Sequence, residues 1–445
     1  MRTSSTMFQD KHHIHSSGKR ERYLSLTIAK GVPFFLTSLL LASVFSLFFL
    51  YNPKPLTLTT NHGHDIFENP TQEKEQTITT NVSSSKSKPQ KEQKTCDLSK
   101  GHWVPALGGS STYYTNSSCT TIPESKNCFK QGRMDNDFLN WKWKPEQCDL
   151  PRFDPRTFLH MVRGKKMAFI GDSVARNHMD SLLCLLSQGE IPKDVYKDSE
   201  DRFRKWYFPI HEFSLMMLWS RFLIVGEERM VNGTGSSIFD MQLDKVDTDW
   251  TKELPNLDYA IISDGHWFFR VMHLHEGGKQ VGCVYCNQAN MTAYNPDFPV
   301  RKAFRTAFRH INACKECKKV LTLLRTFAPA HFENGFWNTG GYCNRTGPVS
   351  ESEVDFGKFD WEMRRIQMEE FERARNEGME KGHRYEVVDV ARAMLMRPDG
   401  HPGEHWGNKW MKGYNDCTHW CLPGPVDMWS ELLLAVLKRE AGIID

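Results

Sequence analysis

Two short stretches carry the residue types of a nucleophile and its base. One is Gly171-Asp172-Ser173, directly after the run Lys166–Ile170 (KMAFI). The other is Asp416-Cys417-Thr418-His419, near the C-terminus. A serine hydroxyl is a weak nucleophile until a base takes its proton, and the base needs a third group to hold its tautomer. Asp and His three residues apart on a turn can set the carboxylate beside one ring nitrogen and leave the other facing outward. Each stretch also has a plainer reading. Ser173 suits an ordinary helix-capping turn, and with eighteen histidines in the chain a single His is ordinarily structural or solvated.

The elements around Ser173 give it a position. KMAFI reads as a strand, and VARNHMDSLLCLLSQ (174–188) places His178, Ser181, Leu182, Leu185 and Leu186 at helical spacing. Strand, tight turn and amphipathic helix would put the Ser173 hydroxyl at a strand end and a helix N-terminus, where backbone N–H groups can stabilise an oxyanion. Further strands are expected at Phe213–Leu218, Asp258–Ile262, Val320–Leu324 and Tyr385–Val388, and helices at Arg301–Ala313 and Phe359–Glu377. Strands alternating with helices imply an α/β fold with a mainly parallel sheet covered on both faces. Ligands bind outside the C-terminal strand ends of such sheets. The loops expected there are Ser263–Trp267 (SDGHW), Arg325–Cys343 and Asp389–Pro402.

Composition divides the chain. Residues 1–30 hold six Lys/Arg against two acids, and residues 31–51 hold no charge. That run of 21 residues can cross about 30 Å of hydrocarbon at about 1.5 Å per residue. The basic flank predicts a cytoplasmic tail over 1–30, a signal anchor over 31–51 and a luminal remainder. Residues 52–95, rich in Thr, Lys, Gln, Ser and Glu, read as a disordered stem. All thirteen Trp and twelve Cys follow, so 96–445 is the expected catalytic region, built as one large α/β domain or two units. Beyond residue 95 there are 45 basic and 47 acidic residues. The net +3 belongs to the N-terminal segments, which argues against nucleic acid as a partner.

An even number of cysteines on the expected luminal side implies disulfides. Sequons at Asn81, Asn116, Asn232, Asn290 and Asn344 agree with N-glycosylation. Cys283-x-x-Cys286 and Cys314-x-x-Cys317 resemble a zinc ribbon, but 27 intervening residues exceed its usual gap. Disulfides are the expected reading there, with the pairing open and no metal.

GDS early in a domain with D-x-x-H near its end resembles the SGNH/GDSL esterase superfamily. More of the chain is similar to one plant branch, the TRICHOME BIREFRINGENCE-LIKE polysaccharide O-acetyltransferases. The resemblance is carried by Cys96-Asp97 with Gly101 and Trp103, by GRMDNDFLNWKWKPEQCDLPRFD (132–154), GKKMAFIGDSVARNHMDSLLCLL (164–186) and DGHWF (264–268). It continues in RTFAPAHFENGFWNTGGYC (325–343), RPDGHPG (397–403) and DCTHWCLPG (416–424). It implies an SGNH-hydrolase-like fold in which Ser173 attacks an acetyl donor, His419 is the base and Asp416 orients it. A polysaccharide hydroxyl would then take the acetyl group from Ser173. Asp172 would shape the turn.

His401, with Asp399 two residues before it, is the rival base, but it lacks the D-x-x-H spacing and is assigned to substrate contact. His178 and His266 are expected to be structural or binding residues. The superfamily's oxyanion Gly corresponds to Gly265, while its Asn has no counterpart in SDGHW. Asn177 and Asn338 are the alternatives. Trp267 and Trp337 could stack on sugar rings. The resemblance further suggests Cys96–Cys148, Cys119–Cys184, Cys128–Cys421 and Cys343–Cys417 pairs. Its GDSVARN, MDSLLCLL and CVYC wording is closest to the xyloglucan-acetylating branch, with galactose side chains as acceptor, a Golgi membrane location and acetyl-CoA as the assumed donor. Xylan, mannan or pectin acceptors, acetate release by an esterase, and an inactive polysaccharide-binding protein are the alternatives.

Overall fold

The computed structural model describes residues 96–106, 112–407 and 413–443. The expected tail, anchor and stem, and Asn81, lie outside them. Among the described residues no helix is long and apolar enough to cross a membrane.

Strands in chain order are β1 (Gly101–Pro105), β2 (Trp141–Pro145), β3 (Lys166–Gly171), β4 (Lys193–Lys197), β5 (Phe203–Phe208), β6 (Phe213–Trp219) and β7 (Ile224–Val231). They continue as β8 (Thr234–Val246), β9 (Tyr259–Ser263), β10 (Val271–Glu276), β11 (Lys279–Val284), β12 (Ala293–Tyr294), β13 (Leu321–Arg325) and β14 (Arg384–Val388). The main sheet runs β14-β13-β9-β3-β6-β5-β4. Its first five strands are parallel, and β5 and β4 add antiparallel pairs at one edge. The alternating strand-helix pattern is thus a mainly parallel sheet with helices on both faces.

Strand periodicity divides the core in two. Met167 and Phe169 of β3 point to one face, together with Leu215, Met217 and Ile261, under the Ser173–Ser187 and Asp427–Glu440 helices. Ala168 and Ile170 point to the other with Met216, Leu218 and Ile262, under helices Asp297–Ala313 and Phe359–Met379. Successive side chains alternate faces, and β3 is buried on both, which is why KMAFI is apolar without alternation. Each fully buried Leu, Phe or Met contributes about 1.5–3 kcal/mol.

The segment between β6 and the Asp297–Ala313 helix contains a second sheet, ordered β12-β11-β10-β8-β7, that the sequence reading did not anticipate. Its signal was present. Asn232-Gly233 joins β7 to β8 with both residues at positive φ, 51° and 79°, the two-residue hairpin turn that an Asn-Gly pair favours. β1 and β2 form a separate two-stranded sheet, and Trp103 Nε1 donates to the Ala393 carbonyl at 2.8 Å.

All twelve cysteines are paired: Cys96–Cys148, Cys119–Cys184, Cys128–Cys421, Cys283–Cys286, Cys314–Cys317 and Cys343–Cys417. Each C-x-x-C pair closes on itself, leaving no thiolates for zinc. The sequon residues Asn116, Asn232, Asn290 and Asn344 are exposed.

Candidate active site

Ser173 is the first residue of the Ser173–Ser187 helix, half-buried at the C-terminal end of β3. The turn that presents it requires glycine. Gly171 has φ 142°, and a Cβ there would lie 1.7 Å from the Ser263 carbonyl oxygen. Asp172 caps the helix, its Oδ1 accepting from Val174 N–H at 2.9 Å and Ala175 N–H at 3.4 Å. As the first residue of the helix, Ser173 carries one of the N–H groups that have no intrahelical acceptor.

β3 leads on toward β6 and β9 toward β13, on opposite sides, so the adjacent strand ends β3 and β9 form a switch point of the sheet. His266, just beyond β9, bridges it. Its backbone N–H donates to Asp172 Oδ2 at 2.9 Å, and its Nδ1 lies 3.2 Å from the same oxygen. Its Nε2 lies 2.9 Å from the Ala328 carbonyl oxygen, and the ring stacks on Phe327 at 4.3 Å. Burial opposes charge on Asp172, but the His266 contacts and Arg325 outweigh it and hold its carboxyl at about 2. Asp172 is therefore a fixed anion spent on the helix cap and on His266.

At the other stretch, His419 Nδ1 lies 2.8 Å from Asp416 Oδ2. Asp416 Oδ1 accepts from the backbone N–H of His419 at 2.9 Å and of Thr418 at 3.1 Å. Burial raises the Asp416 pKa, but the imidazole and these two N–H groups carry it well below the usual carboxylate range. With Nδ1–H donated to the carboxylate, Nε2 is left as a lone pair. It is shielded from solvent and has no partner among the described residues. A neutral imidazole so oriented can accept a hydroxyl proton.

Asn177 connects the two stretches. It lies one turn after Ser173 on the same helix face. Trp420 N–H donates to Asn177 Oδ1 at 2.7 Å, and Asn177 Nδ2 donates to the Trp420 carbonyl at 3.2 Å. Fully buried, with its carbonyl oxygen and one amide N–H spent on Trp420, Asn177 serves as a tether between the two stretches rather than as the oxyanion donor expected from the sequence. It holds the residue next to His419 against the Ser173 helix. A second link runs through Asp427, which accepts from Ser181 Oγ at 2.6 Å and from Gly424 N–H at 3.2 Å.

The rival histidines are otherwise engaged. His401 is 3% exposed, with its ring nitrogens against the His419 carbonyl and His331, so it cannot contact substrate. Asp399 pairs with Arg397 instead, Nε to Oδ1 at 2.8 Å and Nη2 to Oδ2 at 3.0 Å. His178 is fully buried between Phe169 and Trp429, and burial with the nearby Arg325 keeps it neutral. Gly265 has φ 141°, a Cβ there would meet the Phe327 ring at 2.9 Å, and its N–H lies beside the Asp264 carboxylate. Asn338 is exposed.

A model of the GDSL/SGNH-like acyl-esterase family found in Pmr5 and Cas1p, named PC-Esterase, matches residues 150–436, more than half of the chain. The chain belongs to the PC-Esterase family. The PMR5 N terminal domain matches residues 94–149 immediately before it. The chain is 57% identical over 422 residues to xyloglucan O-acetyltransferase 4 of Populus trichocarpa, covering 95% of each chain. Xyloglucan O-acetyltransferase 2 of Arabidopsis thaliana is 49% identical over 441 residues, 99% of this chain and 100% of the relative. Protein trichome birefringence-like 19 of the same plant is 45% identical over 350 residues, 78% of this chain and 81% of its own.

In this PC-Esterase the N-terminal module buttresses the loop that carries His419. Arg133 donates to the carbonyls of Asp399 at 2.8 Å and His401 at 3.0 Å, and Leu422 N–H donates to Lys126 O at 2.8 Å. Cys128–Cys421 adds a covalent tie. Sequence reasoning missed Arg325, which is fully buried, donates to Ser263 Oγ and is lowered to about 10 by burial against Asp172 and Asp264. It also missed Asp264, whose buried carboxyl is pushed well upward by desolvation and then by the Asp172 charge. The signal available was two charged residues, Asp264 and Arg325, at the ends of apolar strands. Trp267 is half-buried, with the Arg270 guanidinium 4.2 Å and that of Arg221 5.1 Å from its ring centre. Phe336 and Trp337 are 70% and 50% exposed, on a loop tied to the Asp416–His419 loop by Cys343–Cys417 and by Asn415 Nδ2 to Gly341 O at 3.2 Å.

Proposed function

We propose that this protein transfers acetyl groups from an activated donor to hydroxyls of a cell-wall polysaccharide, through an acetyl-Ser173 intermediate. The observation that carries the reading is the oriented His419, with Nδ1 on Asp416 and a bare Nε2, on a loop that Asn177 ties to the Ser173 helix. His419 Nε2 takes the Ser173 proton as the oxygen attacks the acetyl carbonyl. The Ser173 N–H, in the first turn of its helix, stabilises the oxyanion. Collapse expels the donor's leaving group, which receives the proton from His419. A sugar hydroxyl then attacks acetyl-Ser173, passes its proton to His419, and leaves as the ester while Ser173 recovers a hydrogen.

The names of the full-length relatives favour xyloglucan as acceptor, with galactose side chains the acetylated sugars. Xylan, mannan and pectin are the competing acceptors. Trp337 and Trp267 are placed here as sugar-stacking residues and acetyl-CoA as the working donor. The uncharged run 31–51 and the exposed sequons favour a glycosylated, Golgi-luminal domain on a type II anchor. Intact-protein mass spectrometry after brief exposure to an acetyl donor tests the core of the reading. One acetyl group should appear on Ser173, and xyloglucan should remove it while becoming acetylated. Release as acetate at the same rate with and without glycan would make the protein an esterase instead.

A further inference from the structure

His331 and His401 meet behind the base loop, with His331 Nδ1 2.7 Å from His401 Nε2. Their outer nitrogens face backbone carbonyls. His401 Nδ1 is 2.7 Å from the His419 carbonyl oxygen, and His331 Nε2 is 3.2 Å from that of Leu395. A carbonyl only accepts, so both outer nitrogens must carry protons. The two inner nitrogens need one more between them. Three protons are required, and two neutral imidazoles supply two.

We propose that His401 and His331 are positioning residues for the base, a two-imidazole unit that holds the His419 carbonyl only while it carries this extra proton. The proposal rests on His419 being the base. His401 stacks on Trp420 at 4.1 Å, and Trp420 is the residue that Asn177 grips. The unit therefore secures the loop on the side opposite the nucleophile helix. When the extra proton leaves for water, two lone pairs confront each other at 2.7 Å. One ring must then change tautomer or turn, releasing the carbonyl of His419 or of Leu395.

The charged neighbours set the balance. Asp416 faces His401 and favours the proton, His419 opposes it when charged, and Arg133 reaches the His401 carbonyl. Glu333 favours a charge on His331 and Lys358 opposes it. Burial pushes His331 down to about 4 and His401 lower still. The proton is held against desolvation and is surrendered as pH rises.

The test compares acetyl-enzyme formation from 4-nitrophenyl acetate across roughly pH 4–9 in the full chain and in His331→Gln. The glutamine amide offers His401 Nε2 a neutral N–H, so the unit no longer needs an extra proton. Wild type should lose at least tenfold in rate through one deprotonation in the acid part of this range, where the pair surrenders its extra proton. His331→Gln should lose that step. Superimposable profiles would overturn the proposal. Nitrogen-15 NMR of histidine-labelled protein reads the pair without reference to activity, and should show a strongly deshielded bridging proton that vanishes on alkalinisation. Two neutral imidazoles at every pH would also overturn it. Full activity in Ser173→Ala or His419→Ala would instead defeat the triad reading, leaving the NMR result to decide whether the pair shares a proton.

Discussion

Asn177 grips the backbone of Trp420 with both ends of its amide, accepting from the N–H at 2.7 Å and donating to the carbonyl at 3.2 Å. The Ser173 helix and the His419 loop, joined by residues 243 apart in sequence, thereby share one buried peptide unit.

Replacing Asn177 by Ala should strand a buried N–H and C=O, costing about 1–3 kcal/mol of stability. Because the base loop shifts relative to Ser173, activity should fall by on the order of 10²-fold in the protein that remains folded. Thermal melts and single-turnover rates separate the two effects. Unchanged turnover would show that Trp420 needs no such tether.

Ser173→Ala and His419→Ala should each abolish transfer, with the double variant little worse than either single one. Asp416→Asn should preserve the fold but cost roughly 10⁴-fold, since the amide no longer selects the Nδ1–H tautomer. Additive losses in the double variant would argue that Ser173 and His419 do not act as a unit.

Cys343–Cys417 closes a separation of 74 residues and borders Asp416. Mutating both to Ala should lower stability by about 2–4 kcal/mol and reduce activity further by loosening the Asp416 turn. Denaturant titration and rates at a temperature where the variant is folded measure each part.

Two carboxyls, the buried Asp427 and the half-buried Glu431, make stability pH-dependent. Desolvation raises Asp427 to about 6 against hydrogen bonds from Ser181 and Tyr114, and raises Glu431 to about 7 against its bond from Tyr113. Both folded values exceed the unfolded ones near 4, so the folded protein binds more protons between. Their contribution is complete below about pH 4 and is lost as pH rises through about 6 to 7. Glu431→Gln should flatten the decline of melting temperature over that interval. An unaltered slope would show that Glu431 is already ionised in the folded state.

Trp337→Ala should leave acetyl-Ser173 formation unchanged and raise KM for the glycan, the outcome that the sugar-stacking role proposed for this exposed ring requires. Equal glycan KM values in variant and wild type would remove Trp337 from the acceptor site.

Local chemistry was legible in the sequence. Apolar KMAFI, the small Gly171, the capping Asp172 and the helical stripe after Ser173 act through neighbours in the chain, so their strand, turn and helix could be read directly. The same holds for the Asp416–His419 turn, whose hydrogen bonds span three residues. Partners far along the chain were not legible. Asn177 looked like an oxyanion donor because a short amide near a nucleophile suits that task. Only packing of the C-terminal loop onto the helix gave both its ends to Trp420. His401 looked available to substrate in a Pro- and Gly-rich loop, and burial against Trp420 and His331 excluded it. Periodicity reports which face of an element is apolar, while the donor that meets each buried acceptor depends on how distant elements dock.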